Sequence, residues 1–154
     1  MKTRGPCVVD NFLPLHKATV HRTASQASID AGNAVTVLTY LHGTKEAEDA
    51  IDQLNAEGYD CDLVELTCLK PFDAETVRAS LARTHKVCIL DESTRSGGVG
   101  ATMSALVAET MFDELDAPVS RLCMEDAPVP YATEMERAMV KRAADLVEGV
   151  KAMC

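Results

Sequence analysis

The sequence predicts an α/β domain: a three-layer sandwich whose mostly parallel sheet has about five strands, one edge strand being antiparallel. Three observations predict it. Short apolar runs rich in β-branched residues alternate with segments of helical period. The runs are apolar almost throughout, as in strands covered on both faces. The links between them are short, as right-handed crossovers require. At 154 residues the chain has the length of one domain and can close a core around a sheet and several helices.

Along the chain, Lys17-Ala-Thr-Val-His-Arg22 alternates well enough for a short edge strand, and Ser25 to Asn33 reads as a loop. We therefore divide the chain into an extension with an edge strand, 1–33, and a main domain, 34–154. Ala34-Val-Thr-Val-Leu-Thr-Tyr40 is the expected central strand. A helix is expected from about Thr44, with Glu46, Glu48 and Asp49 in its early turns, where the dipole favours acids. Its core stripe is Ala47, Ala50, Ile51 and Leu54, and Gly58 suits a left-handed stop. Asp60 to Thr67 supplies the next strand. Asp73 can then cap a helix running to about Arg83, with Phe72 and Val77 as a hydrophobic staple. Lys86 to Asp91 is a further buried strand, and Ser96-Gly-Gly-Val-Gly100 opens a helix facing Met103, Leu106, Val107 and Met111 inward. Pro118 to Cys123 is the last strand and Met124 to Ala132 a loop. Thr133-Glu-Met-Glu136 reads as a capping box opening one final helix, with Met135, Met139, Leu146, Val147 and Val150 on its apolar side.

Composition narrows the function classes. With 47% hydrophobic and 25% charged residues the chain reads as globular rather than disordered or fibrous. A net charge of -9 opposes binding to a polyphosphate backbone and favours basic partners. No apolar run approaches the roughly 20 residues of a membrane span, and Met1 to Pro6 lacks the apolar stretch of a secretory signal. The cysteines at 7, 61, 68, 88, 123 and 154 form no CxxC pair, so buried reduced thiols in a reducing compartment are expected.

Motifs for chemistry are sparse. The glycine turn after a strand suggests an anion cradle, but it lacks the third glycine of the dinucleotide fingerprint and the GK[ST] of a P-loop. Gly97, Gly98 and Gly100 are read instead as permitting a sharp turn and close packing. His16, His21, His42 and His85 show no metal-ligand spacing. His42, at the end of the central strand, is the best acid/base candidate among them. No GxSxG elbow is present. Asp113, Glu114 and Asp116 close a helix where acid opposes the dipole, which reads either as a solvated face or as a docking patch for an Arg/Lys-rich partner.

The ordered strings ELTCLKPFDAETV, HKVCILDESTRSGGVGA, FDELDAPVSRLC and EDAPVPYA strongly resemble the C-terminal, transketolase C-terminal-like domain of the pyruvate dehydrogenase beta subunit, nearest the plastid and cyanobacterial branch. Leu13 to Ala18 and Ala34 to Tyr40 also fit, whereas Thr23 to Asn33 is longer than usual for the family. The resemblance implies the transketolase C-terminal fold, an oligomer with pyruvate dehydrogenase alpha and beta subunits, and docking of the subunit-binding domain of the dihydrolipoyl acyltransferase. It implies Asp116, at its place in LDAP, as a partner-binding residue, with the Cys154 carboxylate second and Asp113 and Glu114 beside them. Thiamine diphosphate and magnesium belong, by the same resemblance, to the complete enzyme and not to this chain, in which no catalytic, cofactor-binding or metal residue is assigned and which alone is expected to be inactive. An organellar matrix is implied, the plastid stroma ahead of the mitochondrion. Two alternatives stand beside this assembly role: a truncated relative recruited as a structural subunit of another organellar complex, and a small anion- or nucleotide-binding domain.

Overall fold

The computed structural model describes Pro14 and residues 16–154; Cys7, Leu13 and the segment Met1 to Pro6 lie outside these. Its five-stranded sheet has the order β1-β3-β2-β4-β5. The strands are β1 (Thr19–Arg22), β2 (Ala34–Thr39), β3 (Asp60–Glu65), β4 (Val87–Thr94) and β5 (Ser120–Met124). β1 runs antiparallel to β3, and the other pairings are parallel. β2 is central and buried along its whole length.

Alternation along the strands sends side chains to two cores. Val35, Val37, Cys61, Leu63, Cys88 and Leu90 pack under α2 (His42–Ala56) and α6 (Ala143–Lys151). Leu38, Val64, Val87 and Ile89 pack under α3 (Ala74–Thr84) and α4 (Val99–Thr110). This is the expected three-layer arrangement.

One polar cluster interrupts the second core. Asp62 is 1% exposed and accepts hydrogen bonds from Ala24 N–H at 2.7 Å, Ser80 Oγ at 2.8 Å and Arg83 at 3.1 Å. Thr36 Oγ1 lies 2.6 Å from Ser80 Oγ and 2.7 Å from Thr84 Oγ1. Such a set of donors replaces the hydrogen bonds to water that a carboxylate loses on burial. The same cluster ties residues before Ala34 to the sheet through Ala24, so β1 and its neighbours pack as part of one structure.

Three expectations need correction. Ser25 to Asn33 contains a helical turn, α1 (Gln26–Asp30), because the Ser25 side chain accepts from Ser28 N–H and Gly32, at φ +75, supplies the stop. α2 starts at His42, two positions before Thr44, on a turn that holds Leu41 at φ 51.

The final helix is two helices. α5 (Thr133–Met139) begins at Ala132 without a side-chain cap, so the Thr133/Glu136 box does not form. The chain breaks at Val140 and restarts because polar partners wait there. Glu46 accepts from Ala143 N–H and from the Arg142 guanidinium, each at 3.0 Å, and Asp145 accepts from Arg142 N–H at 2.8 Å. Glu46 therefore serves the dipole of α6 rather than that of its own helix. Met135 is consequently 60% exposed, while Leu146 and Val150 are fully buried. Leu106 of α4 is only half-buried.

Replacing Leu146 by Ala is expected to destabilise the domain by about 3 kcal/mol, whereas Met135→Ala should change stability by less than about 0.5 kcal/mol. Urea unfolding of the two variants checks the difference.

Candidate functional site

The two ends of the parallel strands offer different chemistry. At the carboxyl end, β4 delivers Asp91, which is 2% exposed, to the start of α4. Its Oδ2 accepts from Gly100 N–H at 2.6 Å and from Ser93 Oγ at 2.5 Å. Its Oδ1 accepts from Tyr40 Oη at 2.6 Å and from Ser93 N–H at 2.9 Å. Burial pushes the Asp91 carboxyl up, but these four donors outweigh it and hold it below the usual carboxylate range. Burial and the Asp91 charge together push the Tyr40 hydroxyl up.

The glycines are there for space. A Cβ on Gly100 would lie 2.6 Å from Asp91 Oδ2, and one on Gly98 would lie 2.4 Å from the Thr94 carbonyl oxygen, while Gly97 takes φ +74. Nearby, Asp126 accepts from Ser96 N–H at 2.7 Å and Ser96 Oγ at 2.6 Å. Two amides of this turn, those of Ser96 and Gly100, are already bonded to carboxylates of the chain itself. Asp91 and Asp126 also place negative charge beside it, which opposes an anion there. Among the described residues no group of three or more His, Cys, Asp or Glu side chains is placed to hold a metal.

His42 Nδ1 lies 3.2 Å from Glu92 Oε1, both half-exposed. They line a cleft of about 350 Å³ with Met124, Val129, Glu136 and Arg142. Leu41, which precedes His42, is 74% exposed.

The amino end carries the predicted acids. α4 returns across the sheet, and the buried residue that follows it, Met111, leads into a 3₁₀ turn, Phe112–Glu114. This turn is clipped to the end of α3. Asp116 N–H donates to His85 O at 2.8 Å, and His85 Nδ1 donates to Glu114 O at 3.1 Å. His85 ends α3 at φ 56, the left-handed position that aims its backbone at the turn. Arg78 reaches both the Thr110 carbonyl and, at 3.7 Å, Glu114 Oε1.

The four predicted site residues divide accordingly. Glu114 is engaged by Arg78, whereas Asp113 and Asp116 are exposed and, among the described residues, neither has an ion-pair partner. Cys154 is exposed at the same end of the sheet, in the field of Lys86 beside His85; burial pushes its thiol up and Lys86 offsets this in part. Of the other cysteines among the described residues, Cys61, Cys88 and Cys123 are buried free thiols and Cys68 is half-buried. Sequence reasoning missed an apolar cleft of about 520 Å³ beside the acids, lined by Ser104, Ala108, Phe112, Leu115, Pro118 and Val119, with Asp116 on its rim. Phe112 is 71% exposed. It also missed the Asp91 cluster, since a strand-ending Asp nine residues before a glycine has no recognisable pattern.

Residues 25–146 match the family model described as transketolase, C-terminal domain. The chain belongs to that family. Curated relatives include pyruvate dehydrogenase E1 component beta subunits. That of Chaetosphaeridium globosum is 37% identical over 123 residues, covering 80% of this chain and 38% of the relative. That of Porphyra purpurea is 37% identical over 140 residues, covering 91% and 40%. The chloroplastic beta-3 subunit of Oryza sativa subsp. japonica is 37% identical, covering 80% and 32%. Among solved structures, a split gene transketolase described as an inactive beta4 tetramer superposes with a TM-score of 0.72 at 25% identity, covering 94% of this chain and 43% of that one. The chain thus spans about two fifths or less of these relatives' length. The transketolase C-terminal fold read from the sequence is the fold observed.

Gly100→Ala and Asp91→Asn are each expected to destabilise the transketolase C-terminal domain by about 2 to 3 kcal/mol, by steric conflict and by loss of a charged acceptor. Because the folded Asp91 carboxyl is held low, its contribution is complete above about pH 4, the unfolded value, and disappears as pH falls through the lower folded value. Urea unfolding across the acid range should therefore show a flatter pH dependence for Asp91→Asn than for the wild type.

Proposed function

We propose that this chain is a noncatalytic assembly domain of a pyruvate dehydrogenase-type complex in a plastid. In this role it associates with beta and alpha subunits and docks the basic subunit-binding domain of the dihydrolipoyl acyltransferase. The observation that carries the docking role is the exposed Asp113 and Asp116 pair, held by backbone bonds from α3 and left without a cation among the described residues. Fixed, uncompensated acids on a chain of net charge -9 suit a basic module, raising its association rate and orienting it. Cys154, with the Lys86 charge close by, is the weaker contributor. Self-association draws support from the tetrameric description of the split gene transketolase, and the plastid location from the chloroplastic relatives.

Thiamine diphosphate and magnesium chemistry is assigned to the parts of the complete enzyme that this chain does not match. The pure chain given pyruvate, thiamine diphosphate and magnesium should show no acetyl-forming turnover, and turnover would overturn the noncatalytic reading.

A close interfacial charge pair contributes about 1.5 to 7 kcal/mol. Asp116→Arg should therefore weaken binding of an isolated plastid acyltransferase subunit-binding domain by more than about tenfold, read by titration calorimetry. Unchanged affinity would reject Asp116 as a contact. Co-purification with unrelated subunits in place of pyruvate dehydrogenase components would replace the assignment with a structural role in another organellar complex.

A further inference from the structure

The docking edge is more than a charge patch, and its apolar half has an occupant that the chemistry specifies. Met111 is 1% exposed and Phe112, the next residue, is 71% exposed. The 3₁₀ turn swings this ring out of the core and onto the lip of the 520 Å³ cleft. The cleft walls are apolar along Ala108, Leu115, Pro118 and Val119, and Asp116 stands at the rim with Asp113 on the same turn.

The turn that carries the ring is itself held by backbone hydrogen bonds, so its backbone has little conformational freedom left to lose on binding. Aromatic anchors of this kind, set in a pocket, dominate interface energetics.

The geometry points to a mixed docking cleft in which Phe112 and the apolar walls receive an aliphatic side chain of a basic protein module, while Asp113 and Asp116 hold its Lys or Arg residues. Charge selects this occupant over others. A second copy seated face to face on the same patch would set these acids against their own kind, which costs several kcal/mol. An anionic membrane or a fatty acid meets the same repulsion at the rim. A module that is basic around a small apolar knob satisfies both halves.

This inference rests on the docking reading above and adds Phe112 and the cleft as its specificity element. The two contributions separate by ionic strength, because charge pairs at an exposed rim are screened while apolar burial persists.

The test is titration calorimetry of the full chain with the acyltransferase subunit-binding domain at about 0.05 M and about 0.5 M salt. Phe112→Ser should weaken binding about tenfold at both salt concentrations, and Phe112→Leu should recover most of the loss. The effect of Asp116→Arg should shrink at the higher salt. Because Phe112 is exposed, unfolding curves of its variants should match the wild type, which separates lost contact from lost fold. If Phe112→Ser binds as the wild type does while Asp116→Arg does not bind, the cleft is not a docking element and the docking reading stands without it. If the wild-type chain fails to bind at either salt concentration, both are overturned.

Discussion

The Asp91 carboxylate is the constraint from which the rest of the architecture follows. It sits within β4 and ties that strand to the start of α4, satisfying donors from three places at once: Tyr40 just after β2, Ser93 two residues further along β4, and Gly100 in the first turn of α4. A carboxylate this deeply buried persists as an anion only because all four bonds are made. They fix the spacing between the central strands and the angle at which α4 leaves the sheet. α4 then crosses the whole layer, so its departure angle decides where Met111, Phe112 and the acids emerge on the far side.

The protein thus spends the end of the sheet where open α/β folds usually bind ligands on holding itself together. Asp91 and Asp126 supply internally the negative charge that an anionic ligand would bring to a helix start. At the opposite end the backbone is clamped by His85, while the side chains of Asp113, Asp116 and Phe112 face solvent. A rigid backbone carrying solvent-facing charged and aromatic groups is the arrangement on which the docking proposal rests.

The central strand, the edge strand and the layer assignment were legible because burial on two faces leaves a direct mark: mostly apolar runs such as Val35 to Leu38 and Val87 to Leu90. The Asp73 cap, which accepts from Thr76 N–H at 3.2 Å, and the Gly58 stop at φ +88 were legible because they act within a few residues. Long-range polar contacts left no such mark. Nothing near Arg142 announces that Glu46, 96 residues earlier, will start a new helix there, and the methionines Met135 and Met139 continued the apolar stripe across the break. The acids of the docking edge could be read as charges from sequence, yet which of them stays exposed depended on Arg78, 36 residues from Glu114 by their numbering. Phe112 was illegible for a related reason: an aromatic residue after a buried methionine reads as core until the 3₁₀ turn rotates it outward.

The hydroxyl and carboxylate cluster under α3 has a geometric meaning beyond its share in stability. Val77 and Leu81 are four residues apart, so their apolar contacts alone would tolerate a slide of the helix by one turn, about 5.4 Å. Thr36, Asp62, Ser80 and Arg83 would not, since such a slide strands buried polar atoms at about 1 to 3 kcal/mol each. The cluster acts as an alignment key that admits one longitudinal setting. Since His85 terminates that helix, the key also sets the height at which Asp116 is presented, and tolerance for drift in one is inherited by the other.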